Sequence, residues 1–66
     1  MTLRELQKFL EDEHLTLLLE YSPERVEWRA RLRLEDQKRG GVVAVSSPAL
    51  TLEVAITRAV EMWRHR

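Results

Sequence analysis

The stretch VEWRARLRLE, residues 26–35, decides the fold. In this stretch every second residue is apolar and every residue between is charged. The apolar residues are Val26, Trp28, Ala30, Leu32 and Leu34. Because successive side chains of a β-strand point to opposite faces of the sheet, this period of two predicts a strand with one apolar and one charged face. Such a strand needs neighbouring strands and a layer that covers its apolar face.

The flanking segments predict those neighbouring strands. In residues 15–21, an apolar set alternates with Thr16, Leu18 and Glu20; this set is Leu15, Leu17, Leu19 and Tyr21. Residues 22–25, which contain Pro23, form a four-residue hairpin loop. Residues 36–41 predict a second turn through Gly40 and Gly41, and residues 42–47 predict a short third strand. The predicted pairs across the first loop are Tyr21 with Val26, Leu19 with Trp28, and Leu17 with Ala30.

Two helices are predicted outside the strands. Thr2 and Glu5 have capping-box spacing before a leucine stripe, which predicts a helix over 3–13. A second apolar stripe follows a cap at Thr51 or Ser47 and ends at cationic residues 64–66. The sequence therefore predicts one α+β domain over 1–66, an α-β-β-β-α two-layer sandwich with a three-stranded antiparallel sheet. Both helices are expected on one sheet face, which carries Leu17, Leu19, Trp28, Leu32 and Leu34.

Composition narrows the function classes. The chain has 66 residues, no cysteine, and 11 cations against 11 anions, so disulfides and cysteine-bound zinc are excluded and an overall basic excess for nucleic acid is lacking. A core this small favours a protein partner or a homodimer.

No apolar run approaches the roughly 20 residues that span a membrane, so we expect a cytoplasmic protein. Arginine outnumbers lysine and asparagine is absent, which is typical of a bacterial or phage source and of thermophiles.

Catalytic and metal-binding signatures are lacking. His14 and His65 are far apart in the chain, no serine has a nucleophile context, and residues 11–13 are neighbouring carboxylates that do not converge on one point. We expect a protein that is no enzyme and has no cofactor, no metal and no small-molecule substrate.

Two surfaces could bind a partner. Strand alternation places Arg29, Arg31 and Arg33 on one face about 7 Å apart, which suits nucleic-acid phosphates, carboxylates of a protein, or ion pairs with Glu20, Glu27 and Glu35 that only solubilise the sheet. The third strand is an edge without protective charges, so it could accept a partner strand or dimerise unless a loop or the second helix covers it. Its candidate residues are Val42, Val43, Ala44 and Val45.

Short motifs resemble two families. The element order, the start Leu3-Arg4-Glu5-Leu6 and the loop Ser22-Pro23-Glu24-Arg25 resemble the double-stranded RNA-binding domain, whose loop is Gly-Pro-x-His and reaches an RNA minor groove. The lysine-rich start of that family's last helix, which grips phosphates, is missing here, since Leu52, Glu53 and Ile56 stand in its place. The run Thr51-Leu52-Glu53-Val54-Ala55 is similar to a helix start of HicB-type antitoxins, which implies a small regulator.

Three hypotheses follow from these observations. The leading one is a non-enzymatic protein-binding regulator, phage- or antitoxin-like, that docks through its exposed sheet face or third-strand edge. The second is a nucleic-acid binder that uses the arginine stripe, and the third is an assembly subunit that associates with itself through residues 42–47.

Overall fold

The computed structural model describes residues 2–35 and 42–65. Its elements are α1 (Leu3–Glu13), β1 (Leu15–Ser22), β2 (Glu27–Leu34), β3 (Val42–Val45) and α2 (Leu52–Arg64). The strands form one antiparallel sheet in the order β1-β2-β3, and both helices pack on the same face of it. The predicted α-β-β-β-α sandwich is thus confirmed, while the turn predicted at 36–41 lies outside the described residues.

Short-range capping places the helix ends where the sequence predicts them. The Thr2 Oγ1 accepts a hydrogen bond from the Glu5 N–H at 3.1 Å, and the Thr51 Oγ1 accepts one from the Val54 N–H at 3.2 Å. His14 ends α1 in the left-handed conformation with φ of 55°, which turns the chain directly into β1. The alternative cap Ser47 instead accepts a hydrogen bond from Arg58 of α2.

The predicted register of the first hairpin is wrong by two residues. Tyr21 pairs with Trp28 and Leu19 with Ala30, because Val26 belongs to the turn and β2 begins at Glu27. Val26 has a φ of 52°, a strained conformation for a β-branched residue, so it cannot start the strand. Since the shift is even, every side chain keeps its predicted face.

The core lies between β2, β3 and α2 and is built mainly of small residues. Ala55 and Ala59 of α2 are fully buried, and their short side chains let the helix approach the sheet closely. The cluster comprises Leu15, Ala30, Leu32, Ala44, Ala49, Ala55, Ala59 and Trp63, with Phe9 and Leu10 of α1 packed against it. Leu19, predicted to be covered, is 42% exposed, because exposure rises along β1 away from its junction with α1.

Ser46 continues the β2–β3 ladder after β3 ends at Val45, two residues before the predicted end. Its N–H donates to the Ala30 carbonyl at 2.9 Å, and its Oγ accepts a hydrogen bond from the Ala30 N–H at 2.9 Å. Ser46 is 3% exposed, so the hydroxyl satisfies a backbone donor that water cannot reach. The chain then pairs Trp28 with Ala49 through two backbone hydrogen bonds before α2 begins.

Replacing Ser46 by alanine is expected to destabilise the fold by about 1–3 kcal/mol, because the buried Ala30 N–H loses its acceptor. Urea unfolding followed by circular dichroism measures the loss. The matched control is Ser47→Ala, whose side chain is exposed, and it should cost about 0.5 kcal/mol or less. Equal losses in the two variants would show that the Ser46 hydroxyl is not a structural acceptor.

Candidate functional site

No helix or strand of residues 2–35 and 42–65 covers the sheet face opposite the helices, and the centre of this face is formed by arginines of β2. Ala30 and Leu32 point into the core, so the alternating Arg29, Arg31 and Arg33 project from the other face, where they are half-buried. Because β2 is the central strand, these arginines have a strand on each side. The three predicted residues are therefore brought together on one surface.

Arg31 is held by Glu20 of β1. Its Nε lies 3.1 Å from the Glu20 Oε1 without hydrogen-bond alignment, and its Nη2 donates to the Glu20 Oε2 at 3.4 Å. The two side chains are 37% and 53% exposed, so water screens the pair and its contribution to stability is small. The pair nevertheless fixes the guanidinium and neutralises the middle of the face.

Arg29 and Arg33 differ from Arg31 in their contacts. Among residues 2–35 and 42–65, no salt bridge involves Arg29 or Arg33. Glu27 forms its salt bridge with Arg25 of the turn, where the Glu27 Oε1 lies 3.8 Å from the Arg25 Nη1. The expectation that glutamates neutralise the whole stripe thus holds, within the described part of the chain, for Arg31 alone. Arg29 and Arg33 are four positions apart in the sequence, which places their Cα atoms about 13 Å apart along β2.

Two aliphatic side chains complete the face. Leu18 of β1 and Val45 of β3 are the cross-strand partners of Arg31, and they are 38% and 36% exposed. We call the surface formed by Leu18, Arg29, Arg31, Arg33 and Val45 the arginine face. Leu18 was not among the residues singled out from the sequence, although its place between Thr16 and Glu20 in the alternation puts it on the polar side.

The residues predicted on the β3 edge do not form one surface. Ala44 is 3% exposed on the helix side, and Val43 lies at a bulge, half-buried against the core. Val45 belongs to the arginine face, and the Val42 backbone pairs with Arg33, while the Val42 side chain lies outside the described residues. Of the four candidates, Val45 is therefore the one that the arginine face includes.

A shallow depression of about 210 Å³ lies at the hairpin end of the sheet. Glu20, Arg25, Glu27 and Arg29 bring both signs of charge to its wall, together with Tyr21 and Ser22. It offers a polar side chain of a partner both donors and acceptors next to Arg29.

Residues 2–35 and 42–65 bring together no group of three or more histidine, aspartate or glutamate side chains that could hold a metal ion. Neither of the two helices described is long and apolar enough to cross a membrane.

Comparison with known proteins finds no protein-family model, no curated protein and no solved structure that matches this chain. The resemblances to the double-stranded RNA-binding domain and to HicB-type antitoxins stay predictions. The function is therefore inferred from the chemistry of the arginine face.

Proposed function

We propose that this protein is a non-enzymatic protein-binding module whose arginine face docks on an acidic segment of another protein. One observation carries the proposal. Arg29 and Arg33, which have no salt bridge among the described residues, lie to either side of the exposed pair Leu18 and Val45. A matching partner presents an apolar side chain to Leu18 or Val45 and one carboxylate each to Arg29 and Arg33, which arginine can bind in a bidentate manner.

The same face suits nucleic acid less well. Glu20 and Glu27 lie on it and reduce its positive potential, and Arg31 is already paired. Single-stranded nucleic acids are bound on exposed aromatic rings, whereas Tyr21 and Trp28 contact each other on the opposite face, with ring centroids 4.8 Å apart. The exposed aliphatic side chains of Leu18 and Val45, on either side of Arg31, instead support a protein partner.

A module of this kind acts by covering part of its partner. Its arginine and aliphatic side chains contact the partner. Binding changes the partner's activity, either because it covers a functional surface of the partner or because it brings the partner to another molecule, as a phage- or antitoxin-like regulator in the cytoplasm would. Arginine is enriched among the interface residues that dominate binding energy.

Selection from a random peptide library displayed on phage tests the proposal. The wild-type protein is expected to enrich sequences that contain two or more acidic residues around an aliphatic one. Elution at high salt should release them, since ion pairs at a surface are screened by salt. Enrichment of peptides without acidic residues would overturn the proposal.

A parallel selection from a random RNA pool separates the two partner classes. We expect no RNA enriched above the level retained by a variant with Arg29→Glu and Arg33→Glu. An RNA motif that requires these arginines, together with no acidic peptide, would favour the nucleic-acid hypothesis instead.

A further inference from the structure

The sheet has a second edge, β1, which the sequence reasoning did not single out. All eight residues of β1 pair with β2 without a bulge, whereas β3 has four residues and an irregular register. Long, regular edges without lysine or proline accept added strands. The single charged side chain of β1, Glu20, is turned back onto Arg31.

The register shows which backbone groups of β1 face outward. The Glu35 N–H donates to the His14 carbonyl at 3.0 Å, so hydrogen-bonded pairs on β1 fall at even-numbered residues. The odd-numbered residues Leu15, Leu17, Leu19 and Tyr21 therefore direct their N–H and C=O groups toward the free edge. No hydrogen bond within residues 2–35 and 42–65 reaches these groups at Leu17, Leu19 or Tyr21.

The two ends of this edge have complementary side chains. Beside the start of β1, Leu3, Leu6, Leu10 and Leu15 line much of an apolar groove of about 290 Å³. At the other end, Tyr21 projects on the same sheet face and is 46% exposed. An exposed aromatic ring and an open apolar groove thus lie about 20 Å apart along one strand.

We propose that a second copy of the chain adds to this edge, with β1 antiparallel to β1 and a two-fold axis at Leu18. Leu17 then pairs with Leu19 of the second copy and Leu15 with Tyr21, so outward-facing backbone groups meet each other. Each Tyr21 lies beside the groove of the other copy, and the axis supplies this contact twice.

Charge and polarity select this register over its neighbour. On the arginine side, Leu18 meets Leu18 of the second copy and Glu20 meets Thr16, so no like charges stand opposite. A slip of two residues would set Leu18 against Glu20 and reduce the hydrogen-bonded residue pairs between the two β1 strands from four to three. The product is a six-stranded sheet whose two arginine faces lie on the same side and meet at Leu18. Arg29, Arg33 and Val45 stay open in each copy, so variants at these residues separate partner binding from dimerisation.

Sedimentation velocity over a range of protein concentrations tests the dimer. The wild type is expected to approach twice the 7.8 kDa mass of the chain as concentration rises. Leu19→Pro removes an outward N–H while keeping the bonds to β2, and it should raise the dissociation constant about 100-fold. Tyr21→Lys, which places a charge at the groove of the other copy, should also weaken the dimer and does not alter the backbone.

The control is Val54→Lys on α2, at a position 41% exposed, which should dimerise like the wild type. Circular dichroism verifies that each variant is folded. The proposal is overturned if the wild type stays monomeric at millimolar concentration, or if a folded Tyr21→Lys variant dimerises unchanged. It is equally overturned if Val45→Lys dissociates the dimer while the β1 variants do not, since the β3 edge would then be the interface.

Discussion

In the Leu32→Ala variant, a large fraction of the molecules is expected to be unfolded at 25 °C. Leu32 is 0% exposed at the centre of β2, and its cross-strand neighbours are Leu17 and Ala44. Truncating a buried leucine to alanine costs about 2–5 kcal/mol, depending on how far the surroundings can collapse into the cavity. Here the loss should fall near the upper end, because many of the core neighbours are alanines whose short side chains cannot fill the space.

That loss is comparable to the whole stability of such a domain. At about 0.05–0.15 kcal/mol per residue, 66 residues give about 3–10 kcal/mol. Urea unfolding followed by circular dichroism measures the free energy of unfolding of Leu32→Ala and of its control, Leu18→Ala. The control lies on the arginine face and should lose about 1 kcal/mol or less. A loss under 1 kcal/mol for Leu32→Ala would contradict the core described for this sheet.

Reversing the charge of Arg29 and Arg33 together is expected to weaken binding of a selected acidic peptide by about 100-fold or more. Each substitution removes a donor and sets a carboxylate against a carboxylate of the partner. Folding should change little, because neither arginine has a salt bridge among the described residues. Arg31 is left in place, since its replacement would deprive Glu20 of its cation.

Fluorescence anisotropy of the labelled peptide provides the two affinities. The control variant carries Arg4→Glu and Lys8→Glu on the exposed surface of α1, which changes the net charge by the same amount. An equal loss of affinity in this control would mean that overall charge, and not the arginine face, attracts the peptide.

The sequence predicts the features that depend on neighbouring residues in the chain. The alternation in residues 26–35 assigns each side chain of β2 to its face, and this assignment holds although the register does not. The caps at Thr2 and Thr51 follow from contacts three residues away. Such short-range patterns need no knowledge of the packing.

The register depends on a turn conformation that the pattern conceals. Val26 continues the alternation but occupies the left-handed conformation, so the strand begins one residue later. A signal was nevertheless present, because the predicted register sets Glu20 opposite Glu27. The observed register sets Glu20 opposite Arg29 and avoids that like-charge pair.

Features that require distant parts of the chain were not predictable. The role of Ser46 depends on the Ala30 amide sixteen residues earlier. The exposure of Leu19 and Tyr21 depends on how much of β1 the helices cover, which no local pattern encodes. The pairing of Arg31, and hence the difference between it and Arg29 or Arg33, depends on the register.

Mapping of backbone amide chemical shifts during titration with a selected acidic peptide tests the central claim most directly. We predict the largest shifts at Leu18, Arg29, Arg31, Arg33 and Val45, with saturation and with little change in α1 and α2. Shifts concentrated in the helices or the groove between α1 and β1, or shifts at the arginine face produced by RNA and not by the peptide, would contradict the proposed function.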